Sequence, residues 1–170
     1  MATRIAFIGA GSIGFTRKLV RDILTVPELA ETQFAFTDIN ERNLSMVARL
    51  CRKDIADNKL GATISESLDR RAALEGANYV INVVRVGGIE AFTTDIEIPL
   101  MYGVDQCVGD TLCAGGIMYG QRNIPVILEF CDDIREVAGS NALLLNYANP
   151  NAMNTWAANV YGDVDRKSVV

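Results

Sequence analysis

The sequence predicts an α/β fold: a doubly wound, mostly parallel sheet with helices on both faces. Three observations carry that expectation. An apolar run, Ile5-Ala6-Phe7-Ile8, leads directly into Gly9-Ala10-Gly11-Ser12-Ile13-Gly14 and then into residues apolar at helical spacing. A second apolar run, Phe34-Ala35-Phe36-Thr37, ends on Asp38, 24 residues past Gly14. From residue 4 to residue 84, short apolar runs alternate with amphipathic stretches, the β-α-β-α-β order of a parallel sheet.

The glycine loop sits where a dinucleotide loop belongs, between a buried strand and a helix start. Gly9 permits the tight turn out of the strand. Gly11, without a Cβ, lets the backbone approach a pyrophosphate, and Gly14 lets the helix pack closely on the strand. The unpaired amides and positive end of the helix then face the phosphates. An acid at the position of Asp38, close to the expected offset of roughly 20 residues, accepts from both ribose hydroxyls and repels a 2′-phosphate. This favours NAD over NADP and makes the domain Rossmann-like. Cofactor contacts are expected from Gly9, Ala10, Gly11, Ser12, Ile13, Gly14 and Asp38, and from Asn82 and Val84 at the end of a later strand. The alternative is a ligand-free turn in which Asp38 caps the helix beginning near Glu41.

The remaining elements follow in order. The first helix runs from Ile13 to about Thr25 and closes at Pro27. Glu41 to about Asp57 is a long amphipathic helix with Leu44, Val47, Ala48, Cys51 and Ile55 on one face. Ala62 to Ser65 is a third strand, and Leu68 to Leu74 a brief helix stopped by Gly76. Tyr79 to Val84 is a fourth strand, buried on both faces. The stretch after it, Arg85 to Ala91, holds paired glycines and reads as a loop at a strand's carboxyl end. Asp95 to Tyr102 reads as a helix interrupted at Pro99, Gly103 to Gly116 as irregular, and Ile117 to about Val137 as a long helix that absorbs Pro125. Ala142 to Tyr147 is a fifth strand, Ala152 to Tyr161 a helix, and Lys167 to Val170 the start of a sixth strand. The chain stops while entering that strand, so residues 1–170 are expected to be one NAD-binding domain cut from a longer protein.

Composition excludes several classes. With 170 residues, 49% hydrophobic and 22% charged, the chain can bury a core. A net charge of −5 with no histidine leaves no basic footprint, so no nucleic-acid partner is expected. No apolar run approaches the roughly 18 residues that span a bilayer, so no membrane partner is expected either. Cys51, Cys107, Cys113 and Cys131 form no C-x-x-C pair and have no histidine to complete a zinc site. They read as reduced thiols of a cytoplasmic protein. The lack of histidine also removes a His-based triad and a His general base from these residues.

The second half narrows the reading. The run Asn146-Tyr147-Ala148-Asn149-Pro150-Asn151-Ala152-Met153-Asn154-Thr155-Trp156-Ala157 resembles the glycoside hydrolases of family 4, the NAD- and manganese-dependent glycosidases. The likeness continues at Gly87-Gly88, Ile98-Pro99-Leu100, Asp110-Thr111-Leu112, Gly115-Gly116-Ile117 and Arg122-Asn123-Ile124-Pro125, and it covers essentially the whole chain. Asn149-Pro150 running on to Met153-Asn154-Thr155-Trp156 looks most like the α-galactosidase (melibiase) branch.

That resemblance implies a mechanism unlike the two-carboxylate route of most glycosidases. In the family, NAD takes hydride from C3 of the sugar, which acidifies the C2 proton. A tyrosinate removes that proton, the glycosidic oxygen leaves, water adds, and hydride returns to C3. Mn2+ polarises the C3 carbonyl. Carried over residue by residue, Asn149 matches an asparagine that binds the sugar near the metal. Asp110 falls where the family has an acid supporting the tyrosinate. The metal-binding cysteine and histidine and the catalytic tyrosine of the family have no match here. Asn149 could instead cap the next helix, and Asp110 could be an ordinary loop residue.

Two departures bear on substrate. Phe92 stands where phospho-sugar branches carry a phosphate-reading arginine, which favours an unphosphorylated sugar. Cys113-Ala114 replaces the family's usual Gly-Pro. The expected partner is thus a small-molecule glycoside, first an α-galactoside, with an α-galacturonide as the alternative. The full-length protein is expected to be a homo-oligomer, and the 170-residue stretch alone an NAD-binding module without turnover. A 2-hydroxy acid dehydrogenase is the rival enzyme, but it needs a histidine that the chain lacks.

Overall fold

The computed structural model describes residues 2–168, with side chains through residue 164. Six strands, β1 (Arg4–Ile8), β2 (Gln33–Thr37), β3 (Thr63–Ser67), β4 (Tyr79–Asn82), β5 (Leu143–Asn146) and β6 (Asp165–Ser168), form one sheet in the order β3-β2-β1-β4-β5-β6. Every neighbouring pair is parallel. The helices are α1 (Ile13–Ile23), α2 (Glu41–Asp57), α3 (Arg70–Leu74), α4 (Gly88–Met101), α5 (Cys113–Val137) and α6 (Asn151–Tyr161), with a short 3-10 turn at Pro27–Leu29. This is the doubly wound, Rossmann-like arrangement expected from the sequence. The sixth strand is present, while Val169 and Val170 lie outside the described residues. Among the described residues no helix is long and apolar enough to cross a membrane.

Strand alternation builds two cores. Ile5 and Phe7 of β1 face one way, with Phe34, Phe36, Val20, Leu44, Val47 and Cys51. Ala6 and Ile8 face the other, with Val80, Leu144, Ile127, Phe130 and Ile134. Successive strand side chains point to opposite faces, so a sheet covered on both sides needs continuous apolar runs. Phe7 and Phe36 meet edge to face, with ring centroids 5.4 Å apart. All four cysteines lie outside disulfides. Cys51 and Cys131 are buried, and burial pushes the Cys51 thiol up to about 11.

Two helices begin a turn or more earlier than their sequence suggests, and α6 one residue earlier. α4 starts at Gly88, not Asp95, because Gly87 caps it at a positive φ of 84°. The hydroxyls of Thr93 and Thr94 then bond back to the carbonyls of Ile89 and Glu90. α5 starts at Cys113, not Ile117, and so includes Gly115 and Gly116. These glycines are set by close approach, not by helix breaking. A Cβ on Gly115 would lie 2.6 Å from the carbonyl oxygens of Asp95 and Gly109, and one on Gly116 would lie 2.7 Å from the Thr111 carbonyl carbon. Cys113 itself has φ 66°, the left-handed region that glycine enters at least cost. Strands β4 and β5 stop at Asn82 and Asn146, which leaves Val83-Val84 and Tyr147 as strand-end loops.

Arg17 on α1 joins Asp54 on α2 through two hydrogen bonds, of 2.7 and 2.8 Å. The guanidinium holds the Asp54 carboxyl below its ordinary value of 3.8. A carboxylate whose folded pKa is depressed adds stability above its unfolded pKa and loses it as pH falls through the folded one. Arg17→Met is therefore expected to flatten the loss of stability below about pH 4. Urea midpoints of the two proteins should converge on acidification; a constant gap across that range would contradict this.

Candidate functional site

The strand order reverses between β1 and β4, and a crevice opens there beyond the carboxyl ends of the strands, the expected ligand position. The cavity measures about 760 Å³, within the range of cofactor and substrate sites. Gly9, Ser12 and Asp38, which follow β1 and β2, line one end; Arg85 and Asn149, which follow β4 and β5, line the other, and Val84 lies against Gly9 between them.

At the first end, the chain turns at Gly9 with φ 87°. A Cβ there would sit 2.9 Å from Val84 Cγ1 and 3.0 Å from the Val84 amide nitrogen. The Gly9 and Ala10 amides both donate to the Thr37 carbonyl, each at 3.0 Å, which ties the loop to β2. The Gly11 amide donates to Asp38 Oδ2 at 2.8 Å, and the Asn40 amide donates to Oδ1 at 2.9 Å. Each carboxylate oxygen retains acceptor capacity beyond that one bond. Helix α1 has no acid in its first turn and no side-chain cap, so its first amides remain open to an anionic ligand. A preset acid, a glycine turn that admits no side chain and an open helix start together fit a dinucleotide.

Several expectations change in detail. Gly11 makes room for the Asp38 carboxylate: its Cβ would lie 2.8 Å from Asp38 Oδ2 and 3.0 Å from Asn43 Cβ. Gly14 is not where helix and strand meet, because a Cβ there would find nothing within 4 Å. Ala10 is fully buried in the core beneath the loop. Ile13 and Gly14 border a separate surface groove with Arg17 and Asp22. Asp38 does not cap α2; Asn40 does, accepting from the Asn43 amide. Asn82 is buried under the cavity floor. Its amide donates to Asn146 Oδ1 at 2.9 Å and its oxygen accepts from the Val84 amide at 3.3 Å.

At the second end, the structure brings Asp110 and Asn149 together. Asp110 Oδ2 accepts from Asn149 Nδ2 at 3.3 Å and from Arg85 Nη2 at 3.2 Å. The Thr111 hydroxyl donates to Oδ1. Asn149 does not cap α6, whose N-cap is Pro150 without a side-chain bond. Its backbone carbonyl is held by Asn123 Nδ2 at 2.7 Å. Asn146 and Asn154 both donate to the Ala148 carbonyl, fixing the same loop.

Sequence reasoning missed the residues that hold these loops from α5. Arg122 grips Asp95, which is 1% exposed, at 3.1 and 2.6 Å, and donates through Nε to the Val86 carbonyl. The bond to Asp95 raises the Arg122 pKa. Tyr119 is buried between Arg85 and Arg122, and burial raises its pKa as well. The local signal was thin: Arg122-Asn123 entered only as part of the family likeness, with no role attached, and Arg85 only as a residue of the loop that follows β4. Among the described residues no group of three or more His, Cys, Asp or Glu side chains is placed to hold a metal ion.

The model of the family 4 glycosyl hydrolases matches residues 4–167. The chain belongs to that family. It is 64% identical over 162 residues to an α-galactosidase of Rhizobium meliloti (strain 1021), covering 95% of this chain and 33% of that protein. An α-galactosidase of Bacillus subtilis (strain 168) is 37% identical over 163 residues, 95% of this chain and 37% of that protein. The chain thus spans about a third of the length of these relatives. Among solved structures, the 6-phospho-beta glucosidase of Thermotoga maritima with manganese, NAD+ and glucose-6-phosphate superposes with a TM-score of 0.83 at 31% identity. It matches 94% of this chain and 37% of that one. Membership of the family accords with the resemblance carried by the Asn146–Ala157 run.

Proposed function

We propose that residues 1–170 form the NAD-binding domain of a longer glycosidase that acts on α-galactosides. The observation that carries this reading is a single cavity joining the Gly9–Asp38 end to the Arg85–Asn149 end, where Asp110 bonds both residues. The choice of sugar rests on the high identity to the Rhizobium meliloti α-galactosidase. The choice of cofactor rests on the fit of the glycine loop and on the NAD+ in the Thermotoga maritima structure.

NAD, when bound, supplies hydride acceptance and return at a sugar carbon. The chain's own residues bind and orient. Gly9 and Val84 shape the floor on which the cofactor lies. Asp38, pinned by the Gly11 and Asn40 amides, offers its remaining lone pairs to the ribose hydroxyls. Asn149 presents its carboxamide to a sugar hydroxyl and is fixed there by Asn123 and Asp110. Asp110, with Oδ2 engaged by Arg85 and Asn149 and Oδ1 by the Thr111 hydroxyl, is a fixed carboxylate placed to support a base supplied by the rest of the protein. Manganese finds no seat among the described residues, so its ligands and the base are proposed for the rest of the full-length protein. The 170-residue stretch alone would bind the cofactor without turnover. A cytoplasmic homo-oligomer is part of the same proposal.

Full-length protein given NAD+, Mn2+ and a thiol reductant should cleave an aryl α-galactoside. In D2O the released sugar should carry deuterium at C2, as abstraction of that proton requires. Cleavage of an aryl α-galacturonide alone would reassign the sugar, and cleavage of neither would overturn the reading.

A further inference from the structure

We infer that Arg85 is a substrate-binding residue whose guanidinium fork takes two neighbouring oxygens of a neutral sugar. This inference rests on the glycosidase reading above. Two cations line the cavity, and they differ in what they have left to give. Arg70 is committed: it bonds Asp133 through Nε at 2.6 Å and through Nη2 at 2.5 Å, and lies over the Phe130 ring. Among the described residues Arg85 has one hydrogen-bond partner, Asp110, through Nη2 at 3.2 Å. A guanidinium carries five N–H donors, so most of its donors are unspent. Its side chain is 37% exposed and lines the cavity beside Asn149.

The head of Arg85 is braced by two aromatic rings. Its Cζ lies 4.8 Å from the Phe92 ring centroid and 5.3 Å from that of Tyr119. Tyr119 is 2% exposed and anchored in α5. Stacking of this kind orients a guanidinium without using its donors, which reduces the ordering cost of binding. A planar fork with parallel donors suits two adjacent oxygens, either a vicinal diol or a carboxylate. Charge decides between them. Asp110 already neutralises Arg85 at short range, so the site offers no surplus positive charge to an anionic group. Asn149, bonded to the same Asp110 oxygen through Nδ2, still has its own Oδ1 to accept from a sugar hydroxyl. A donor fork beside an acceptor fits vicinal hydroxyls, each of which both accepts and donates.

The test uses the full-length enzyme with NAD+ and Mn2+. Arg85→Gln should raise KM for an aryl α-galactoside roughly 10- to 100-fold, the cost of losing a charge-assisted hydrogen-bonded pair. NAD affinity, read by titration, should stay within about twofold, because Arg85 sits away from the Asp38 end. Arg85→Lys keeps the charge opposite Asp110 but not the fork, so it should raise KM in the same direction and serves if the glutamine variant fails to fold. Phe92→Leu, which removes one face of the stack, should raise KM by a smaller factor. An unchanged KM in Arg85→Gln, an Arg85→Lys enzyme equal to wild type, or a parallel loss of NAD affinity would overturn the inference while leaving the glycosidase reading intact. A wild-type enzyme with no glycosidase activity would remove both.

Discussion

Replacing Arg122 with methionine is expected to cost the fold about 2–4 kcal/mol, below the full penalty for a buried ion pair because the Arg122 side chain is 29% exposed. Asp95 is 1% exposed, and its two oxygens take the Arg122 fork at 3.1 and 2.6 Å. Without Arg122, a carboxylate would stay buried with no countercharge, and the Val86 carbonyl would lose its Nε donor. Methionine retains much of the stem packing, so the loss reports the charge and its hydrogen bonds. Urea unfolding of the full-length protein should show the shift in midpoint. The double variant Asp95→Leu/Arg122→Met should lose clearly less than the sum of the two singles, because both polar partners go together. Strict additivity would mean that the pair is not coupled. The effect should also reach the site, since Arg122 is the link between the loop after β4 and helix α4.

What could be read in the sequence follows a simple division between local and distant. Ile5–Ile8 into Gly9–Gly14, and Phe34–Thr37 into Asp38, were legible because strand burial and turn chemistry are written in adjacent residues. The start of α4 was not, since Gly87 and Gly88 look like loop residues until the helix that they cap is seen. Gly115 and Gly116 misled in the same way. Their reason is the backbone of Asp95, Gly109 and Thr111, which lies elsewhere in the chain. Asp110 and Asn149 were singled out only through the family resemblance, and nothing in their spacing of 39 residues says that they touch. Arg85, Tyr119, Asn123 and the Arg122–Asp95 pair were missed for the same cause. Each acts through a partner brought near by the sheet order, not by sequence.

The glycine loop yields a second large effect, and a control of opposite sign within the same motif. Gly9→Ala is expected to destabilise the protein by about 2–4 kcal/mol, adding the left-handed backbone penalty to the cost of overpacking. At φ 87° an alanine is strained whatever the space, and the space is absent. Its Cβ would meet Val84 Cγ1 at 2.9 Å, a side-chain atom that can rotate away, but also Val84 N at 3.0 Å and Val83 C at 3.1 Å. Those two backbone atoms continue β4, and β4 pairs with β1 through Ile8 and Asn82. Relief must therefore come from parting the strands at the switch point, where the cavity floor lies, and NAD affinity should fall with stability. Gly14→Ala meets nothing within 4 Å and sits in the first turn of α1, so it should stabilise by up to about 1 kcal/mol through helix propensity alone. Chemical denaturation of both variants, with NAD titration of the first, separates the two glycines. Equal effects would mean that the loop is a flexible turn and not a shaped cradle.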